Sequence, residues 1–238
     1  MPSDSLAPKA PSPIVLNEVI PWGRTLDEYR RMFALSDDDL TRRIVGCGDG
    51  PASFNAELSA QGGRVLSVDP VYEFSGEDIR QRFEEVYSQM VEAARENQDK
   101  YHWNSIASPN EMGRRRRKAL TLFLDDYETG KQQGRYQNHT LPDLPFSDNE
   151  FDLALCSHLL FTYSHLLDAE FHLNATLEML RIAPEVRLFP LLTLNGRPSP
   201  HLNYLQQQLP QRNVEFEIAQ VDYEFQIGGN QMLRVWKQ

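Results

Sequence analysis

The sequence predicts an α/β fold, a layered sheet with helices on both faces, and two observations carry that prediction. The first is residues 42–70, RRIVGCGDGPASFNAELSAQGGRVLSVDP, which read as strand, glycine turn, helix, strand and a strand-end acid. The second is the order that follows, in which short apolar strands alternate with helical patterns and the chain closes on two consecutive strand-like runs.

Length and composition fit that class. The chain has 238 residues, 40% hydrophobic and 24% charged, as expected of a globular α/β domain with additions. Its formal net charge of −10 lacks the basic footprint of nucleic-acid binding, so nucleic acid is not an expected partner. Two cysteines, Cys47 and Cys156, make neither a disulfide framework nor a zinc site, and suggest a cytoplasmic setting. No run is long and apolar enough for a signal peptide or a membrane span. Residues 1–40 read as an N-terminal arm with short helices, its first 13 residues proline-rich and mobile, and 41–238 as the α/β domain.

Each element has a local reason. Thr25, with Glu28 three residues on, forms a capping box for a helix over 25–34. Ile44 and Val45 are β-branched and mark the first strand. Pro51 suits the first turn of a helix reaching Ala60, which Gln61-Gly62-Gly63 ends before a strand over 64–68. From 75 to 134 the pattern changes. Ile79, Phe83, Val86, Tyr87, Met90, Val91 and Ala94 keep helical spacing, as do Ala119, Leu120, Phe123 and Tyr127 within a second helix over 111–129. This pair reads as a helical insert lying over the ligand cleft. A short strand is expected at 136–140 and a buried one at 151–158. A helix follows from its cap Asp168 to the residue before Pro184, then an apolar strand over 186–194 and a short helix marked by Leu202, Leu205 and Leu209. The end reads as a hairpin of 215–225 and 231–237 turning on Gly228-Gly229-Asn230.

The glycine turn points to a nucleoside ligand. Gly46, Gly48 and Gly50 leave a turn with no side-chain bulk, so a ligand can approach the backbone. Asp69 follows Gly50 by 19 residues, one helix and one strand later, where an acid suits the two hydroxyls of a ribose. The spacing is G-x-G-x-G with proline next, which fits neither the dinucleotide fingerprint nor the P-loop and disfavours a nicotinamide oxidoreductase.

Three stretches, VGCGDG, VLSVDP and LPFSDNEFDLALCSHLLF, resemble the class I S-adenosylmethionine-dependent methyltransferases in order and spacing. The resemblance covers most of 42–194 and the closing hairpin. It implies a Rossmann-like class I methyltransferase sheet and S-adenosylmethionine as cofactor, while the apolar and aromatic residues of the insert, including Tyr87, Tyr101 and Trp103, suit a partly apolar small-molecule acceptor. Gly46, Cys47, Gly48 and Gly50 would line the methionine part, Asp69 the ribose, Pro70 and Val71 one side of the adenine and Thr140 and Leu141 the other. Ser157 and His158 would face the reacting methyl, with His158 the catalytic candidate ahead of Tyr163 and His165. Arg24 would either meet the methionine carboxylate or stand as a surface arginine. Two positions depart from the family pattern, Ile44 and Thr140, each where the family carries an acid, and they motivate the alternative of a non-catalytic binding module.

The remaining polar features read as structural. The six histidines show no metal-site spacing, and Cys47 and Cys156 read as core. The basic run GRRRRK at 113–118 reads as a solvated helix face paired with Asp125, Asp126 and Glu128. No acceptor motif and no signal for an assembly is present.

Overall fold

A computed structural model describes residues 20–237; the expected mobile arm lies outside them. The framework is one seven-stranded sheet in the order β3-β2-β1-β4-β5-β7-β6. Its strands are β1 Arg43–Cys47, β2 Arg64–Val68, β3 Tyr136–Gln137, β4 Leu153–Ser157, β5 Glu185–Phe189, β6 Val214–Gln220 and β7 Gln231–Lys237. The first five are mutually parallel, and β7 runs antiparallel to β5 and β6. This is the Rossmann-like sheet with a C-terminal hairpin that the resemblance implied.

The period-two alternation of each strand decides which layer it packs against. Ile44 of β1 and Leu153 and Leu155 of β4 join the layer of α1 (Leu26–Met32) and α2 (Phe54–Ala60). Val45, Cys47, Ala154 and Cys156 face α5 (Ala169–Ile182) and α6 (Leu202–Gln208). Ile44 is 1% exposed in that first layer, so the position where the family carries an acid is core here.

The capping box at Thr25 and Glu28 forms, and Asp168 caps α5. Helices α3 (Gly76–Glu96) and α4 (Pro109–Gln132) stand between β2 and β3 and pack on each other through Ile79, Phe83, Leu120, Phe123 and Tyr127. Trp22 stacks on Phe83 at 5.1 Å, tying the N-terminal segment to the insert.

Several boundaries differ from expectation. Pro51 lies in the turn before α2, which starts at Phe54. β3 keeps two residues, because His139 to Asp143 turn away in an isolated bridge between Thr140 and Asp143. β5 ends at Phe189, where Pro190 follows and removes a ladder donor. The hairpin does not turn tightly on its glycines: residues 221–230 form a long connection, with Tyr223 and Phe225 leaving the sheet.

Candidate active site

The register levels the ends of three strands. Cys47 sits beside Val68 and Gly46 beside Leu155, so Gly48, Asp69 and Ser157 emerge together where the strand order reverses between β1 and β4. Crevices at such switch points are where open α/β sheets bind ligands.

The glycine turn is held by its neighbours. Gly48 donates its N–H to Val68 O at 2.8 Å, with φ of +73°. A Cβ there would come within 2.5 Å of Leu159 Cδ2. Asp69 ties the turn to β2: Gly50 N–H donates to its Oδ2 and Val71 N–H to its Oδ1, both at 2.8 Å. Burial raises the Asp69 pKa against those two donors.

Asp49, between the glycines, carries a role that sequence reasoning missed. Its carboxylate folds back over Gly46, where a Cβ would fall 1.9 Å from Oδ2. Tyr29 Oη–H donates to Oδ1 at 2.7 Å and Ser67 Oγ–H to Oδ2 at 2.6 Å. Burial pushes its pKa up to about 6. An acid inside the turn was visible in the sequence, but its two partners lie 20 residues before it and 18 after.

Above these residues opens a cavity of about 800 Å³. One half is bordered by Gly48, Asp49, Gly50, Asp69, Pro70 and Val71, together with Thr140, Leu141 and Ser157. Gly46 and Cys47 do not line it. Cys47 is fully buried in the core and its thiol pKa is raised well above the ordinary value by burial; Cys156 is likewise buried, its pKa pushed up to about 12. Both are free thiols.

The second half is aromatic and roofed by the insert. The connection between α3 and α4 pairs with the hairpin connection, His102 N–H donating to Phe225 O at 2.7 Å, and Tyr101 stacks on Phe225 at 4.8 Å. Ile79, Met90 and Met112 reach the cavity from the insert, Tyr163 from the segment after β4, and Tyr223 from the hairpin.

His158 stands between the halves. It follows β4 with φ of +53°, and its N–H donates to Phe189 O at 2.7 Å, which fixes this left-handed position. Ser157 Oγ lies 2.9 Å from Nδ1, and Nε2 makes no hydrogen bond among the described residues. Burial, then the charges of Arg24 and Arg116, hold its pKa well below the ordinary value, so the ring is neutral at pH 7. Tyr163 Oη instead accepts a hydrogen bond from Ile20 N–H at 3.1 Å. His165 is exposed and does not line the cavity.

The basic run divides in two. Arg114 and Arg115 pair with Glu111 and Arg117 with Glu84, which corrects the expected acids. Arg116 is 2% exposed and forms a two-pronged pair with Glu28 of α1, while its Nη1 also donates to Gly23 O at 2.8 Å. A helix places successive residues about 100° apart, so one of four arginines turns inward.

The uncharacterized protein MJ0045 of Methanocaldococcus jannaschii is 32% identical over 219 residues, covering 92% of this chain and 96% of its own. The chain belongs to the family of that archaeal protein. No family model matches the chain. Among solved structures, magnesium protoporphyrin IX methyltransferase of Synechocystis PCC 6803, with bound S-adenosylmethionine, is 13% identical, with 90% of this chain and 78% of that one covered and a TM-score of 0.46. A putative S-adenosylmethionine-dependent methyltransferase of Methanococcus maripaludis is 12% identical, with 90% and 83% covered and a TM-score of 0.45. The strand order, the glycine turn and the acid after β2 give this chain the class I methyltransferase fold.

Proposed function

We propose that the chain is a cytoplasmic S-adenosylmethionine-dependent methyltransferase acting on a small molecule. The observation that carries this reading is the hydrogen bond from Gly50 N–H to Asp69 Oδ2, which brings a bare glycine turn and a strand-end acid to one wall of the cavity.

The residues fit the cofactor. Gly48 and Gly50 present backbone without side chains, over the turn shaped by Gly46 and Cys47, to a methionine portion. Each Asp69 oxygen accepts one backbone N–H and keeps a second lone pair for a ribose hydroxyl. Pro70 and Val71, with Thr140 and Leu141 opposite, border the place for an adenine. Asp49, once ionised, supplies a negative charge near the cofactor's amine, a duty that Ile44 in the core cannot perform.

When bound, the cofactor supplies an activated methyl group, transferred as the carbon–sulfur bond breaks and its electron pair passes to sulfur. The chain's own part is to align the acceptor with that group and keep water out. Neutral His158 has Nε2 to receive a proton from an acceptor that arrives protonated, while Ser157 orients the ring through Nδ1. Its low basicity suits acceptors whose proton is already acidic.

Calorimetric titration with S-adenosylmethionine, S-adenosylhomocysteine and NAD tests the reading. Micromolar binding of the two sulfur nucleosides without an NAD signal is the expected result. Silence with both, from folded protein, would replace it with a binding module that has lost the cofactor contacts at positions 44 and 140.

A further inference from the structure

Strand alternation turns a row of polar groups towards α1. Val65 of β2 and Leu153 and Leu155 of β4 point into the α1–α2 layer, so Ser67 and Ser157, each further along its strand by an even step, point the same way. Asp49 folds back over Gly46 of β1, the strand between those two. Tyr29 of α1, buried and stacked on Phe54 at 4.2 Å, brings its hydroxyl up to this row. That hydroxyl donates to Asp49 Oδ1 at 2.7 Å and takes a hydrogen bond from Ser157. Ser157 Oγ in turn lies 2.9 Å from His158 Nδ1. A continuous line of hydrogen-bonding groups thus runs from His158 in the cavity, through Ser157 and Tyr29, to Asp49.

We infer that this line is a proton relay, in which His158 takes the acceptor's proton at Nε2 and passes its own Nδ1 proton down the line, so that Asp49 gains one at Oδ1. Ser157, Tyr29 and Asp49 act through His158 and are positioning residues. This rests on the methyltransferase reading above.

The step balances. With Asp49 ionised, every hydrogen points towards it: His158 Nδ1–H to Ser157 Oγ, Ser157 Oγ–H to Tyr29 Oη, and Tyr29 Oη–H to Oδ1. When the acceptor's proton bonds to Nε2, each of these hydrogens moves one place along. As many bonds to hydrogen form as break, and the acceptor keeps the electron pair that takes the methyl group. His158 ends neutral in its other tautomer and Asp49 ends as a carboxyl. Asp49 also lines the cavity, so it returns the proton to water once the products leave.

The surroundings favour that end point. Burial, then the charges of Arg24 and Arg116, disfavour an imidazolium at His158. Burial, against the donors Ser67 and Tyr29, pushes the Asp49 pKa up to about 6. Burial and the Asp49 charge keep Tyr29 protonated. Hydrogen bonds linked in a low-dielectric interior polarise one another along the line. The other titratable groups facing Asp49 are Asp69, Tyr72, Cys47 and Cys156. Asp69, the carboxyl among them, holds the N–H groups of Gly50 and Val71 and stands off the line.

The test reads the His158 tautomer by ¹⁵N NMR in the full-length, ligand-free protein labelled at histidine, its signal assigned by loss in His158→Gln. The proton is expected on Nδ1 at pH 7.5 and on Nε2 at pH 5, where Asp49 is protonated and the line reverses. Tyr29→Phe keeps the ring on Phe54 and cuts the line, and Ser157→Ala cuts it one place nearer His158. Both should hold one tautomer at both pH values, as should Asp49→Asn. Ser67→Ala removes a donor to Asp49 outside the line and should keep the switch. A native tautomer indifferent to pH would overturn the relay, as would a switch that survives in Tyr29→Phe or Ser157→Ala. Calorimetric titration of the same native sample with S-adenosylhomocysteine separates the two ideas. Binding without a switch overturns the relay alone, whereas no binding removes the methyltransferase reading and with it the acceptor that this relay serves.

Discussion

Arg116 of the insert and Glu28 of α1, 88 residues apart, meet in a buried two-pronged ion pair, with Arg116 Nη1 2.9 Å from Glu28 Oε2. Tyr223 of the hairpin connection donates to the same carboxylate. Three segments that wall the cavity, the insert, α1 and the hairpin connection, therefore converge on one acid. Glu28 also closes the capping box at Thr25, so this single side chain starts a helix and anchors the roof.

Removing one partner of a buried pair strands the other charge, at a cost of about 3–5 kcal/mol. Glu28→Gln is expected to lower unfolding stability by that order in urea titration. The double variant Glu28→Leu with Arg116→Met removes both charges and should lose much less. A single variant as stable as the native chain would show that the pair contributes nothing.

Local patterns carried most of the fold. The capping box, the β-branched first strand, the helical spacing from Ile79 to Ala94 and the cap at Asp168 are all written within a few residues of one another. The glycine turn and Asp69 were legible for the same reason, since a βαβ unit sets their separation. Partners distant in sequence were not legible. Nothing near GRRRRK marks Arg116 as the arginine that turns inward, because its acid lies in another element. Asp49 drew no reading of its own within the glycine turn, because its partners Tyr29 and Ser67 lie in other elements. The hairpin connection was misread because Tyr223 and Phe225 alternate like strand residues while in fact facing the cavity.

Two positive-φ glycines separate backbone strain from crowding at the site. Gly62 has φ of +85° and nothing within 4 Å of an added Cβ, whereas Gly48 at +73° would place its Cβ against Leu159. Alanine at either position incurs the left-handed cost of about 1–2 kcal/mol. Gly48→Ala should be the more destabilised and should also bind S-adenosylhomocysteine less tightly. Gly62→Ala should keep native affinity. Equal affinities for both variants would detach the turn from ligand binding.

Stability should respond to acid with two opposing signs. The Glu28 pKa is lowered from 4.5 to about 2, first against burial and chiefly by Arg116, so its contribution is present above pH 4.5 and lost as pH falls toward 2. The Asp49 pKa is raised from 3.8 to about 6 by burial, so the folded state binds the extra proton between those values. Asp49 therefore favours folding most below pH 3.8, and that advantage disappears as pH rises through 6, by about 3 kcal/mol in all. Urea unfolding of native protein and Asp49→Asn at pH 4.5 and 7.5 isolates the second effect. The native chain should lose more stability than the variant on going to the higher pH; parallel losses would refute the assignment.

Asp69 supports both the turn and the proposed ribose site, so its test must tell the two apart. A charge-assisted hydrogen bond is worth about 1.5–3 kcal/mol, which makes the expected loss of S-adenosylhomocysteine affinity in Asp69→Ala roughly ten- to a hundred-fold. Loss of its bonds from Gly50 and Val71 could loosen the turn by itself. Asp69→Asn keeps a carbonyl for one of those N–H groups while removing the charge. Titrating both variants with S-adenosylhomocysteine and with its 2′,3′-dideoxy analogue resolves the question. A contact with the ribose predicts that the native preference for the hydroxylated ligand vanishes in both variants. A merely structural role predicts weaker binding of the two ligands by the same factor. Unchanged affinity in Asp69→Ala would mean that the nucleoside, if bound, lies elsewhere.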